Sequence, residues 1–171
     1  METSQQSAHA LWAPLRHRAV GPSGRSQGVA LIERDPRFTG HLSRPLAHRP
    51  ESVGHARRIA RSVLSAWHID ENAAHSVLLV VSELVTNAVE HAQPPLALHL
   101  CREEADRRVW VGITDGGPSV QVGPRASSRA HDERGRGLVI VEALAVAHGI
   151  DRHVGGTTHW ARLPVAYGAR G

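Results

Sequence analysis

The stretch Val77-Leu-Leu-Val-Val-Ser-Glu-Leu-Val-Thr-Asn-Ala-Val-Glu-His91 constrains this chain more than any other. Apolar residues at 77, 78, 81, 84, 85 and 88 keep helical spacing, so the segment reads as a helix with one face built for burial. Glu83 and Asn87 stand four residues apart and therefore project side by side, next to that apolar stripe. A surface helix would more readily pair Glu with Lys or Arg. A carboxylate beside a carboxamide points to a site, although a solvated polar face explains the stretch equally well when it is taken alone.

A chain of 171 residues with 41% hydrophobic content can bury one core, and two independent domains would be cramped. The apolar residues are aliphatic, with only 4% aromatics, which suits helices packed on a sheet. All 20 basic residues are Arg, a pattern that reflects coding bias more than chemistry. The arginines are scattered and no aromatics interleave with them, so the net charge of +4 gives no nucleic-acid footprint. Cys101 has no second cysteine to pair with, which fits a reducing cytoplasm. The N-terminus has neither a basic nor an apolar signal region, and no apolar run approaches the roughly 20 residues of a membrane helix. A soluble cytoplasmic protein is expected.

Residues 1–35 carry Ser, Gln, Gly, Pro and Arg without periodicity and read as a mobile extension, with Leu11-Trp12 and Val29-Ala-Leu-Ile32 able to dock locally. The expected domain covers 36–166, followed by a tail at 167–171. A short strand is predicted over Arg37–Leu42, and Pro45 and Pro50 then close a loop. A helix follows from Glu51-Ser52 to Trp67, apolar at Val53, Ala56, Ile59 or Ala60, Val63 and Leu64 and basic on its other side. Asp70 or Asn72 caps the central helix. Gln93-Pro94-Pro95 stops it near His91.

Leu96–Leu100 and Arg108–Thr114 read as two strands of a hairpin turning at Glu103–Arg107. The second runs into Asp115-Gly-Gly-Pro118, a strand-end carboxylate followed by glycines that let the chain turn and a ligand come close. By itself such a sequence is more often an ordinary turn. From Pro118 to Arg134 the chain is polar and aperiodic, as lids are. It ends at Glu133-Arg-Gly-Arg-Gly-Leu138, from which a helix is predicted over Leu138–Ala147. Glycines leading into a helix N-terminus offer backbone N–H groups to phosphate. Ile150–Val154 and Thr157–Leu163, turning at Gly155-Gly156, form a last hairpin.

Other chemistries fit less well. Neither a P-loop nor a dinucleotide fingerprint is present. The 13 histidines form no His-Glu-x-x-His pair, and one cysteine makes no zinc ribbon. Cys101 lies in a predicted strand and reads as a buried thiol, not a nucleophile. No Gly-x-Ser-x-Gly elbow occurs.

Four separated signals nevertheless follow one fixed order: Glu83-Leu-Val-Thr-Asn87, Asp115-Gly-Gly117, Gly135-Arg-Gly137-Leu138 and Gly156-Thr-Thr158. They resemble the N, G1, G2 and final boxes of the GHKL ATPases, the superfamily of gyrase, Hsp90, MutL and the histidine kinases. Within it, Glu83 to Ala92 and Gly156 to Trp160 are most similar to the small anti-sigma-factor serine/threonine kinases, in an actinobacterial version. The resemblance spans residues 37–164. It implies an α/β (α+β) fold of the Bergerat type, a two-layer sandwich of an antiparallel or mixed sheet with helices on one face.

The same resemblance implies roles. Asn87 would coordinate Mg²⁺, a hard ion that takes few protein ligands. Glu83 would be the general base for an attacking serine hydroxyl. Asp115 would accept the adenine amino hydrogen, and Gly117 would let the base approach. Gly135, Gly137 and Leu138 would wrap the phosphates of ATP, with charge from Arg134 or Arg136, while Thr158 would support the adenine end. Arg57 matches an arginine that family members use for partner contact, and it equally suits a surface arginine without a special role. Expected partners are a sigma factor and a STAS-type antagonist phosphorylated on serine, and the chain is expected to form a homodimer. The sequence departs from the pattern in its short Arg-rich lid, in Thr157 where the family carries Lys, and in its N-terminal extension. Two other readings stay open. One is an ATP-binding or degenerate interaction module that sequesters a partner without phosphoryl transfer. The other, disfavoured by Pro14, Pro22, Pro36, Pro45 and Pro50 upstream, is the catalytic part of a histidine kinase.

Overall fold

The computed structural model describes residues 36–119 and 129–168, with 129–136 defined by their backbone. The elements run β1 (Gly40–Leu46), α1 (Ser52–Ala66), α2 (Glu71–His91), β2 (Leu96–Glu103), β3 (Arg108–Asp115), α3 (Arg129–Leu144), β4 (Ala147–His153) and β5 (Gly156–Pro164). The strands form one antiparallel sheet in the order β1-β2-β3-β5-β4.

Antiparallel strands place alternate residues on opposite faces, so such a sheet can bury one face against helices. Leu96, Leu98 and Leu100 of β2, Val109, Val111 and Ile113 of β3, and Ala161 and Leu163 of β5 form that buried face. Ala56, Ala60 and Leu64 of α1 and Val77, Leu78, Val81, Leu84, Val85 and Ala88 of α2 close the core over it. The predicted stripe of the central helix is buried throughout, and Val80, which was not counted in it, is buried as well. By length and composition α2 could cross a bilayer; in this fold it is the core helix.

Both ends of α2 follow from the sequence. Asp70 adopts an extended backbone and its Oδ1 accepts from Ala73 N at 2.8 Å, satisfying one of the helix's unpaired donors. Past His91 the chain turns at once into Pro94-Pro95. There Gln93 N donates to Gly117 O at 2.8 Å and Gly116 N donates to Gln93 O at 2.7 Å. The C-terminal end of the central helix is thereby tied to the turn that follows β3. Asp70 N also donates to Ala166 O, and Tyr167 packs against the core, so the chain stays docked just beyond β5.

Three boundaries differ from expectation. Strand β1 starts at Gly40 and runs through Pro45 to Leu46, not over Arg37–Leu42. It is an edge strand, where a missing N–H costs least, so Pro45 pairs with Ala97 instead of closing a loop. Helix α3 begins at Arg129 and ends at Leu144, so Gly135 and Gly137 lie inside it and not ahead of it. The last hairpin is longer than predicted on the β4 side, beginning at Ala147. The expectations for residues 1–35, for 120–128 of the lid and for the end of the tail lie outside the described residues.

Candidate functional site

The site lies where α2, α3 and the β3–β5 end of the sheet meet. Glu83 and Asn87, both half-buried, project from α2. Opposite them, α3 passes so near that a Cβ on Gly137 would stand 2.6 Å from Glu83 Oε2 and 3.7 Å from Asn87 Nδ2. Real Cβ atoms do not approach an atom as closely as 2.6 Å, so only a residue without one leaves the Glu83 carboxylate where it is, with the Asn87 carboxamide in ordinary contact distance beside it. The structure thus brings together three residues of two separate sequence boxes.

The expected phosphate cradle differs in its local geometry. Glycines 135 and 137 fall within the helix, where backbone N–H groups are taken up by the preceding turn. Ala, Arg and Glu around them favour helix, which carries α3 through the two glycines. The side chains of Arg134 and Arg136 lie outside the described residues. Leu138 is 48% exposed and faces away from the core.

At the end of β3, Asp115 is 1% exposed. Its Oδ1 accepts from Gly117 N at 2.8 Å. Its Oδ2 is buried with no hydrogen-bond partner among the described residues, and His159 Nε2 stands 3.7 Å from it. Burial pushes the Asp115 carboxyl above the usual carboxylate range, against the opposing pull of the Gly117 N–H and of His159. Gly117 takes φ 93, a left-handed backbone, and the space over its Cα is open among the described residues. An orphaned acceptor beside open space is an arrangement suited to a ligand donor.

Strand register separates the two threonines of the last box. Asp115 lies opposite Thr157, and Thr114 opposite Thr158. Opposed residues share a face, so Thr157 and His159 are on the helix side with Asp115, and Thr158 is on the other. Thr158 Oγ1 is hydrogen-bonded at 2.8 Å to Thr114 Oγ1 and at 3.1 Å to His153 Nε2, and Thr114 continues to His99 Nε2 at 3.0 Å. Thr158 therefore braces the sheet behind the site. Thr157 and His159 were missed, yet the alternation of Ala161 and Leu163 into the core already marks the odd positions of β5 as the inner ones.

Arg57 on α1 is half-buried and donates from Nη1 to Ser82 Oγ at 2.9 Å. Ser82 immediately precedes Glu83, so this arginine sits against the helix that carries the carboxylate.

A five-stranded antiparallel sheet with helices on one face, an Asp-Gly-Gly turn at a strand end and a Glu/Asn helix beside it is the architecture of the GHKL ATPases. Residues 46–163 match the family model of the histidine kinase-like ATPase domain, and the chain belongs to that family. Among solved structures it is similar to the RsbU and RsbW domains of Rv1364c from Mycobacterium tuberculosis, with TM-score 0.58 and 23% identity. That match covers 77% of this chain and 34% of the other, so this chain spans about a third of the length of that neighbour. No curated protein matches the chain.

Proposed function

We propose that this chain is an ATP-dependent protein serine/threonine kinase of the anti-sigma-factor type, which binds a sigma factor and phosphorylates a serine on a STAS-type antagonist. The observation that carries the reading is the Glu83–Asn87–Gly137 cluster, a carboxylate and a carboxamide facing a residue whose missing Cβ keeps the carboxylate in place. The adenine amino group would donate to Asp115 Oδ2, the orphaned acceptor, with Gly117 leaving room for the ring. The triphosphate would run from there between α2 and α3, toward Asn87, Gly135, Gly137 and Leu138, with Arg134 and Arg136 adding positive charge. Asn87 has the chemistry to hold Mg²⁺ through its amide oxygen. The ion, when bound, neutralises charge on the phosphates.

In this mechanism Glu83 takes the proton of the serine hydroxyl as its oxygen bonds to the γ-phosphorus. The bond from that phosphorus to the β–γ bridging oxygen breaks, and ADP leaves with the electron pair. Arg57 is the residue we assign to partner contact. Its hydrogen bond to Ser82 anchors it against the helix that carries Glu83. Homodimerisation and a cytoplasmic location complete the reading, the latter supported by Cys101 being the single cysteine of the sequence and by the need for ATP.

Titration calorimetry with ATP, with and without Mg²⁺, on wild type and Asn87→Ala tests the nucleotide site. Magnesium-dependent binding that weakens in the mutant is expected. Glu83→Ala is expected to keep nucleotide binding and lose phosphoryl transfer to an antagonist protein. Undiminished transfer would remove Glu83 from the role of base.

A further inference from the structure

The expected family boxes leave His159, at the base end of the site, without a role. His159 is on the inner face of β5, two residues from Thr157 and diagonally across the ladder from Asp115. Its side chain is 39% exposed, whereas that of Asp115 is 1% exposed, so the imidazole is the more accessible of the two polar groups. On either side of His159 in the sheet lie Ile113, fully buried, and Ile150, 50% exposed, an apolar flank for a flat ring. The ring nitrogen nearest Asp115 is Nε2, 3.7 Å from Oδ2. That distance is too long for a hydrogen bond between them, so the two atoms remain separately available to a third group. The carboxylate favours a proton on the imidazole nitrogen that faces it, which makes Nε2 a donor.

We propose that Asp115 Oδ2 and His159 Nε2–H together form an acceptor–donor pair that reads the Watson–Crick edge of the base, with His159 donating to the adenine ring nitrogen N1. The proposal rests on the nucleotide-binding reading above and adds to it a specificity-determining residue. Adenine presents a donor at its 6-amino group and an acceptor at N1, complementary to this pair. Guanine and hypoxanthine present a carbonyl at position 6 and an N–H at N1. Either base would set its carbonyl against the carboxylate and its N–H against the imidazole N–H, leaving buried polar groups unmatched on both sides. His159 therefore turns a single hydrogen bond to the amino group into a two-point test of base identity.

The test is calorimetry with ATP, inosine triphosphate and 1-deaza-ATP, in which N1 is replaced by C–H, on wild type, His159→Val and His159→Gln. Wild type is expected to bind 1-deaza-ATP about tenfold more weakly than ATP, the usual worth of one neutral hydrogen bond. His159→Val should bind ATP and 1-deaza-ATP equally, at the weaker level, and should discriminate less against inosine triphosphate. His159→Gln, which keeps an N–H donor, should recover part of the preference. Wild type that does not distinguish ATP from 1-deaza-ATP overturns the proposal without any mutant being needed. So does a His159→Val protein that keeps the full N1 preference. In either case ATP binding itself would survive, whereas a folded wild type that binds no nucleotide would overturn the underlying reading together with this one.

Discussion

Gly137 of α3 faces Glu83 of α2 so closely that a Cβ built on it would lie 2.6 Å from Glu83 Oε2, and a side chain there fits only if the carboxylate moves. The obstructing atom is the far end of a flexible carboxylate, not backbone, so the clash can be relieved by moving Glu83. Alanine is also the better helix former, by about 1 kcal/mol. Gly137→Ala is therefore expected to leave the melting temperature unchanged or slightly raised while shifting the proposed base. Misplacement on the ångström scale costs about 100-fold in rate. A thermal melt paired with a phosphoryl-transfer assay separates the two effects. A variant that melts normally and transfers phosphate at the wild-type rate would break the link between Gly137 and Glu83.

Asp115 is costly to the fold. Its carboxylate is buried with Oδ2 unmatched, and burial raises its pKa. A carboxyl whose native pKa is raised binds its proton more tightly in the folded than in the unfolded chain. Stability from this group is thus full below its ordinary value of 3.8 and falls as pH rises through the raised native value. Asp115→Asn removes that loss. Its amide oxygen can still accept from Gly117 N, which turns the amide nitrogen toward the position of Oδ2. At pH 7 the variant should be more stable by about 1–2 kcal/mol, an advantage that shrinks toward pH 4. It should also bind ATP about 100-fold more weakly, since a donor then faces the adenine amino group. Denaturation curves at both pH values and ATP titration check the pair. A destabilised variant at pH 7 would refute the account of Asp115.

Much of this site could be read in the chain because it depends on local rules. Glu83 and Asn87 are neighbours by helical periodicity alone, and Asp70 and Pro94-Pro95 bound that helix by capping and by the missing N–H. The hairpin from β2 to β3 follows from two alternating runs around a polar turn. What the sequence left unread depends on partners far along the chain. Gly137 opposes Glu83 through the packing of two helices, and nothing near Gly137 says so. The start of α3 at Arg129 was hidden because glycines in its middle argue against helix locally, while the position of the Glu83 carboxylate is kept only by a glycine at 137. Thr157 and Thr158 are indistinguishable as letters. Only the pairing of Asp115 with Thr157 shows which one faces the site.

His99 is 2% exposed on the face of the sheet away from the helices, with Nε2 bonded to Thr114. Burial lowers its pKa from 6.5 to about 4, reinforced by His41 and His153. The unfolded chain then takes up a proton at His99 before the folded one does. The stability this neutral histidine preserves is fully present above pH 6.5 and is lost as pH falls toward about 4. The loss amounts to about 3 kcal/mol at the acid end. His99→Gln, which keeps a polar group near Thr114 and cannot titrate, should flatten the slope of stability against pH over this window. Urea denaturation at half-unit pH steps would show it. Parallel wild-type and mutant slopes would assign the acid sensitivity to other groups.

Glu103 at the end of β2 is 3% exposed, and its Oε1 meets Arg162 Nε at 3.0 Å, while its Oε2 has no hydrogen-bond partner among the described residues. Burial raises the Glu103 pKa, and the attraction of Arg162 is the largest force opposing that rise. Arg162 also lies over the ring of Trp160, at 6.0 Å from its centroid, so the guanidinium is held from two sides. Removing the arginine leaves a buried carboxylate without its main counter-charge, and single deletions of this kind cost about 3–5 kcal/mol. Arg162→Met should therefore destabilise the fold strongly at pH 7. It should lose less as pH falls, because Glu103, its pKa raised further without the arginine, takes up a proton more readily. The double variant Glu103→Leu with Arg162→Met removes the charge along with its partner and should recover most of the loss, as apolar replacements of buried pairs often do. Equal destabilisation by the single and double variants would show that Arg162 acts through its stacking on Trp160 and its other contacts, with the ion pair contributing little.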